Sequence, residues 1–273
     1  MNEIKLICTD IDGTLLNDKS LLNDFDKEML KRAYEEKNIP TILTSGRFKV
    51  GLTGIQKELG FPTGYSCFNG SYVEFNNEIL KDVRIELSAL EKLIPIIESN
   101  NSYPVIFDLY NSYMNEKGPC FKLQEEWMPN TSIATPLLPL IKEWEKKNYR
   151  PFKLLARDED PQNLLKTKKL IDDANIEGIN TFLSSPIFLE IVPTGVSKGS
   201  TVEIICESLN INKDNVMSFG DYHNDLELIA ASGYGIAMDN AIDEVKAVAF
   251  DVTDTNNNSG LGKAIDKYVF SKN

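Results

Sequence analysis

The stretch Cys8-Thr9-Asp10-Ile11-Asp12-Gly13-Thr14 follows directly on a short apolar run, Ile4-Lys5-Leu6-Ile7-Cys8. A short apolar run closed by a turn signal is the pattern of a buried strand in a parallel sheet. Two carboxylates two residues apart stand at its end, and Gly13 comes next. In open α/β sheets the carboxyl ends of the strands border the ligand crevice, so acids placed there meet a ligand more readily than a core.

Working outward, Asn23-Asp24-Phe25-Asp26 reads as a helix start, and Phe25, Met29 and Ala33 recur at helical spacing up to Asn38. A second apolar run, Ile39 to Leu43, ends in Thr44-Ser45-Gly46-Arg47. Strand, helix and strand in this order predict a parallel pair with a right-handed crossover, so both polar loops emerge on one sheet edge. A helix over Lys49 to Leu59 leads to a third strand, Gly64 to Phe68, and to Asn69-Gly70. Asn-Gly reads first as a tight turn between strands, because both residues tolerate positive φ. Its place on the same edge also leaves open a ligand-facing Asn69.

From about Asn76 to Pro193 the pattern changes: short β-rich runs (Tyr103–Leu109, Phe152–Ala156, Thr181–Ser184, Ile187–Val192) alternate with helical segments. One helix is expected to start at a capping box formed by Ser88 and Glu91, with Leu90, Leu93, Ile94 and Ile97 on its apolar side. Another spans Pro161 to Ala174 and carries Leu164, Leu165 and Ile171. About 110 residues are too many for a loop, which predicts an inserted α/β domain over 81–193 within a discontinuous domain of 1–80 and 194–273. The β-α-β rhythm resumes with a helix from Lys198 to Leu209, a strand from Asn215 to Phe219 and the loop Gly220-Asp221-Tyr222-His223-Asn224-Asp225. A helix (Leu226–Ala231), a strand (Tyr234–Met238), the run Val248–Val252 and a closing helix, Gly260 to Phe270, end the chain.

The 273 residues, 42% hydrophobic and 26% charged, are those of a globular protein with one large or two ordinary domains. With 29 Lys+Arg against 41 Asp+Glu the net charge is −12, which disfavours nucleic acid and anionic membrane as partners. Cys8, Cys67, Cys120 and Cys206 are widely separated and form no C-x-x-C pair, so no zinc or redox motif is suggested. The N-terminus has no basic and apolar leader pattern, and no apolar stretch approaches the length of a membrane span, which together predict a cytoplasmic protein. Oligomeric state leaves no signal in the sequence.

Four polar clusters thus fall at strand ends or helix starts of one domain: Asp10/Asp12, Ser45, Lys198 and Asp221/Asp225. Each alone has a plain structural explanation. A D-x-D can be a turn, a lysine opening a helix can be solvated, and Asp-x-x-x-Asp can sit favourably at a helix N-terminus. Their joint placement has few such explanations.

These residues resemble the haloacid dehalogenase superfamily of phosphohydrolases, in its large-capped branch of Cof-like sugar-phosphate phosphatases. Asp10-Ile11-Asp12-Gly13-Thr14 looks like that family's first motif and Ser45-Gly46-Arg47 like its second. Lys198 in Gly195-Val196-Ser197-Lys198-Gly199 looks like the third, and Gly220-Asp221-Tyr222-His223-Asn224-Asp225 like the fourth. The resemblance covers the whole chain and implies a Rossmann-like, doubly wound parallel sheet with an inserted α+β cap over the 81–193 segment.

The resemblance implies a Mg²⁺-dependent phosphatase of small phosphorylated metabolites, sugar phosphates above all. Asp10 would be the nucleophile that forms an aspartyl-phosphate, and Asp12 the acid/base serving both half-reactions. Mg²⁺ would be held by Asp10, Asp221 and the backbone carbonyl of Asp12, with Asp225 in close support. Ser45, Lys198 and the backbone of the first loop would bind the phosphoryl group; Ile11, Gly13, Gly46, Arg47, Asn69 and Asn224 complete the expected substrate contacts. Two like charges about 4 Å apart repel by about 4 kcal/mol at an effective dielectric near 20, so four acids and a phosphate demand cations.

Thr14 and Thr44 could compete with Ser45 for hydroxyl contacts. Asp239 stands where the family usually has Gly, and either adds an acid near the cleft or sits on a turn. His223, the only histidine, is expected as an exposed loop side chain. Phe107, Asp108, Tyr110 and Glu190 lie in candidate cap strands, where packing and ligand roles are equally open. A phosphomutase and a non-catalytic metabolite-binding protein are the alternatives to a phosphatase, although a binder has no need of both Asp10 and Asp12.

Overall fold

The structure, a computed structural model, describes residues 2–271. The first part of the chain forms β1 (Leu6–Thr9), α1 (Asp24–Lys37), β2 (Thr41–Thr44), α2 (Lys49–Leu59), β3 (Gly64–Cys67), β4 (Tyr72–Phe75) and β5 (Glu78–Asp82). The middle part forms α3 (Leu87–Ser99), β6 (Tyr103–Phe107), β7 (Ser112–Met114), α4 (Pro119–Trp127), β8 (Ser132–Ala134), α5 (Leu137–Lys146), β9 (Lys153–Arg157), α6 (Pro161–Asp173), β10 (Ile179–Ser185) and β11 (Phe188–Pro193). The last part forms α7 (Lys198–Leu209), β12 (Val216–Gly220), α8 (Leu226–Ala230), β13 (Tyr234–Ala237), α9 (Asp243–Val248), β14 (Asp251–Val252) and α10 (Gly260–Ile265).

Two compact units result. One contains the chain up to Arg47, Leu52–Asp82 and everything from Ser197 onward; the other contains Phe48–Gly51 and Val83–Val196. β5 runs to Asp82 in the first unit's sheet, two residues past the break expected after residue 80.

The first unit is built on an eight-stranded sheet in the order β14-β13-β12-β1-β2-β3-β4-β5. β14 through β3 are parallel, and β4 and β5 turn back as antiparallel strands. The chain leaves β1 toward β2 on one side and later returns to β12 on the other, which makes the carboxyl end of β1 a topological switch point. Crevices open at such points in doubly wound sheets. β1, β2, β3, β12 and β13 are buried at every residue, as strands covered on both faces must be. Leu6, Cys8, Ile42, Val73, Val202, Ile205, Val216 and Leu228 form one such core layer.

α1 keeps Met29, Leu30 and Ala33 inside, whereas Phe25, expected on the apolar face, is 37% exposed in the first turn. Asn38 ends the helix in the left-handed conformation, the role Asn and Gly fill at helix C-termini.

The second unit is a six-stranded sheet, β10-β11-β9-β6-β7-β8, with α3, α5 and α6 over one face. Alternation decides the faces: Ile106, Leu154, Ala156, Leu189 and Ile191 point to the helices, with Leu90, Leu93, Ile97, Ile141 and Trp144 opposite them. The opposite face carries Phe107, Lys153, Arg157 and Glu190 by the same alternation. Three expectations are corrected here. α3 is capped at Glu86 with no side-chain hydrogen bond, so Ser88 lies inside the helix and no capping box forms. Leu165 of α6 is 45% exposed while Leu164 and Ile171 are buried. The run Val248–Val252 is the end of α9 followed by a two-residue edge strand.

Among the described residues no helix is long and apolar enough to cross a membrane.

Candidate active site

The polar clusters lie where the strand ends put them. Asp10 follows β1, Ser45 follows β2, Asp221 follows β12, and Lys198 opens α7. Register explains the first three, because Thr9 pairs with Leu43 on one side and with Phe219 on the other. Asp10 N–H donates to the Phe219 carbonyl at 3.0 Å, the last bond before the chain turns out of the sheet.

Lys198 Nζ donates to Asp10 Oδ1 and to Asp225 Oδ1, both at 2.6 Å, and all three side chains are buried. Ser197 caps α7, its hydroxyl accepting from Ser200 N–H at 3.2 Å, which directs the first helical residue into the site. Asp225 is fully committed: Oδ2 accepts from the N–H groups of Asp221 and Tyr222, each at 3.1 Å, while Oδ1 faces the lysine. It therefore shapes the Gly220–Asp225 loop as well as adding charge. Thr14 Oγ1 donates to Asp221 Oδ1 at 3.0 Å, so this hydroxyl orients Asp221 rather than competing with Ser45. Thr44 is likewise tied to the Thr9 carbonyl at 3.0 Å. Ser45, 2% exposed, accepts from Arg47 N–H at 3.1 Å and retains its own hydroxyl proton to donate.

Asp10, Asp221 and Asp225 each offer an oxygen within 4.8 Å of the others'. One lysine does not balance three carboxylates, two of them buried and the third, Asp221, half-buried. Burial, and then the Asp225 charge, hold the Asp10 carboxyl well above its ordinary range. Burial and Asp225 push Asp221 up to about 7. Burial works against the Lys198 ammonium, but Asp10 and Asp225 outweigh it, and its pKa lies above the usual lysine value. Such a set of hard oxygen donors, with one ammonium against three carboxylates, fits a divalent cation of the magnesium class.

Asp12 stands apart from this group. Its carboxylate is exposed and receives a two-pronged contact from Arg47, Nε to Oδ2 at 2.9 Å and Nη2 to Oδ1 at 2.5 Å. Ile11 is buried in the loop core, and its carbonyl accepts from Leu16 N–H at 2.9 Å. Gly13 has φ +81°, and a Cβ there would overlap the Asp221 carboxylate, so only glycine lets the two motif loops approach. Asn69 is buried beside Gly46, with Asn224 Nδ2 donating to its Oδ1 at 3.1 Å.

Other expectations resolve more simply. His223 is exposed, with its ring edge on Tyr222. Asp239 is exposed on a turn, 3.6 Å from Lys246. Within the second unit Asp108 accepts from the hydroxyls of Tyr113 and Tyr149 and from two backbone N–H groups, a structural hub. Phe107 packs on Phe48, Tyr110 is 59% exposed, and Glu190 pairs with Lys153 at 2.9 Å where both are buried.

Sequence reasoning passed over Asn240 and Asn256. Asn240 Nδ2 donates to the Gly13 carbonyl at 2.8 Å, and its Oδ1 accepts from Asn256 N–H at 2.9 Å. Asn256 Nδ2 in turn donates to the Leu16 carbonyl at 3.0 Å. The two asparagines brace the loop that presents Asp10 and Asp12. Asn240 adjoins Asp239, so the signal was one residue from the position singled out.

A model of the haloacid dehalogenase-like hydrolases matches residues 7–265. The 5-amino-6-(5-phospho-D-ribitylamino)uracil phosphatase YcsE of Bacillus subtilis (strain 168) is 29% identical over 267 residues, covering 98% of this chain and 96% of its own. Phosphatase YwpJ of the same strain is 25% identical and covers 94% and 97%. A solved haloacid dehalogenase-like hydrolase from Bacteroides thetaiotaomicron superimposes with a TM-score of 0.85 at 26% identity, over 97% of this chain and 99% of that one. The chain belongs to the haloacid dehalogenase-like hydrolase family. It is an enzyme, and its relatives set it among the phosphatases of that family.

Proposed function

We propose that the chain is a Mg²⁺-dependent phosphatase that hydrolyses small phosphorylated metabolites, sugar phosphates first among them, through a phosphoryl group carried on Asp10. The observation that carries this reading is the buried Asp10–Lys198–Asp225 triad at the switch point, with Asp221 completing a cation-deficient cluster.

Asp10 is the nucleophile. Lys198 holds its carboxylate in place and, with the Ser45 hydroxyl, offers positive charge and hydrogen-bond donors to the phosphoryl oxygens. The Asp10 carboxylate, Asp221 and the Asp12 carbonyl would hold the metal, with Asp225 supporting them. Bound there, Mg²⁺ would neutralise the acids and the incoming phosphate so that the anionic nucleophile and anionic substrate can meet. Asp12 gives its proton to the leaving alkoxide, then takes one from the water that attacks the aspartyl-phosphate. Arg47 grips the ionised Asp12 by both oxygens and so orients the base form that takes the proton from water, and protonation of Asp12 would free one of those oxygens for the acid step. The second unit, built mainly from Val83–Val196, would serve as the cap that selects the leaving group.

The test is a hydrolysis screen over sugar phosphates, phosphorylated cofactors, a phosphorylated ribityl compound of the kind named for YcsE, and an aryl phosphate, with and without Mg²⁺. The reading expects metal-dependent turnover that Asp10→Asn abolishes. Full activity after chelation, or in Asp10→Asn, contradicts it.

A further inference from the structure

Phe68-Asn69-Gly70 joins the antiparallel strands β3 and β4, and all three residues have positive φ, at 51°, 56° and 95°. A bulky residue such as Phe68 is seldom left-handed, and such a conformation persists only where the surroundings over-determine it. Two backbone bonds do so here. Phe68 N–H donates to the Arg47 carbonyl at 3.1 Å, and Asn69 N–H donates to the Ser45 carbonyl at 2.9 Å. The turn is thus pinned along the Ser45-Gly46-Arg47 loop.

This pinning buries the Asn69 side chain to 1% exposure against Gly46. A Cβ at Gly46 would stand 3.3 Å from Asn69 Nδ2, tighter than ordinary contact, so the glycine keeps that flank of the amide clear. Asn224 Nδ2 donates to Asn69 Oδ1, which turns the Asn69 NH₂ away from Asn224. Asn69 Nδ2 is then left with no hydrogen-bond partner among the described residues. Buried donors are almost always matched in folded proteins, and an orphan beside a functional loop calls for an acceptor supplied by a ligand. A buried N–H gains most from an anionic oxygen.

We propose that Asn69 Nδ2 donates to a non-bridging oxygen of the substrate's phosphoryl group, with its amide oriented by Asn224 and its access kept open by Gly46. The inference rests on the phosphatase reading above and adds a neutral donor to the charged groups of that site. A purely structural Asn69 makes a different prediction: glycine adopts positive φ freely, so its substitution would cost only the Asn224 bond and local packing, seen in the unfolding temperature and not in phosphate affinity.

The experiment compares the parent chain with Asn69→Gly, Asn69→Asp and Asn224→Ala. Affinity for inorganic phosphate is measured by titration calorimetry with Mg²⁺ present, beside thermal unfolding and turnover of an aryl phosphate. Asn69→Gly should stay folded, with a lower unfolding temperature from the lost Asn224 bond, and bind phosphate about tenfold to hundredfold more weakly, as expected for a lost hydrogen bond to a charged group. Asn69→Asp keeps the size and turn preference of asparagine and should weaken phosphate further by repulsion, while Asn224→Ala should fall between parent and Asn69→Gly. Parent-like phosphate affinity in a folded Asn69→Gly or Asn69→Asp, with the parent turning over substrate, overturns this inference alone. A parent that hydrolyses no phosphate ester with Mg²⁺ overturns the phosphatase reading and this inference with it.

Discussion

Lys198 Nζ donates to Asp10 Oδ1 at 2.6 Å with both side chains buried, although 188 residues separate them in the chain. Removing the ammonium leaves Asp10 and Asp225 facing each other without a counter-charge, and breaking one partner of a buried pair costs about 3–5 kcal/mol. Lys198→Met should therefore lose a few kcal/mol of stability at neutral pH in chemical denaturation. Its kcat/KM should fall by about 10²-fold or more, as when a preorganised donor is deleted from a reacting centre. A stable, active Lys198→Met would mean that the lysine is only packing.

Divalent metal should stabilise the folded chain as well as activate it. At free Mg²⁺ near 100 times its dissociation constant the gain is about 2.7 kcal/mol, seen as a rise in unfolding temperature. Asp221→Asn keeps the shape of the side chain but gives up a charged ligand, so it should lose most of that rise and most of the turnover. An equal metal-induced shift in parent and Asp221→Asn counts against the assigned cation site.

The acid role proposed for Asp12 should show in its dependence on the leaving group. Asp12→Asn cannot protonate an alkoxide, so turnover of a sugar phosphate should drop by about 10²–10⁴-fold. The first half-reaction of an activated aryl phosphate, whose phenolate departs unaided, should be far less affected. Arg47→Lys loses the fork that holds both Asp12 oxygens and should lower kcat more than it raises KM. Equal losses for both substrate types in that first half-reaction would remove Asp12 from the acid role.

A pH effect unconnected with the site comes from Asp26. It is buried in α1 and accepts from Gly262 N–H at 2.6 Å, and burial raises its pKa to about 6 from an ordinary value of 3.8. The folded state therefore binds the proton more tightly than the unfolded chain. The stability Asp26 contributes is fully present below pH 4 and is lost as pH rises through about 6, by about 3 kcal/mol at most. Denaturation curves in chelator from pH 4 to 8 should show a shallower fall with pH in Asp26→Asn than in the parent, and identical slopes would contradict this.

The sheet of the first unit was legible because doubly covered parallel strands are continuous apolar runs, as in Leu6–Thr9 and Val216–Gly220, and because their ends carry the acids. The second unit was less so. β7 and β8 are three residues each, too short for alternation to register, and α5 opens with Pro136 and Pro139 in a region that reads as a breaker. A proline in the first turn of a helix removes only an N–H that has no intrahelical partner, and Leu137, Ile141 and Trp144 still form a buried stripe. In the site, Asp10 and Asp221 could be found by residue type at strand ends and Lys198 at a helix start. The roles of Asn69, Asn240 and Asn256 depend on hydrogen bonds spanning 155 to 240 residues, which no local pattern encodes.

Transfer of a phosphoryl group to Asp10 is tested most directly by acid-quenched mass spectrometry of Asp12→Asn turning over an activated aryl phosphate with Mg²⁺. The aryl group leaves without help, but the attacking water has lost its base, so the covalent intermediate should accumulate. The mass of one phosphoryl group should appear on the tryptic peptide Leu6–Lys19, at Asp10, and be absent when Asp10→Asn is added. Steady release of phosphate with no label on that peptide, or unchanged release with Asp10→Asn, would contradict it.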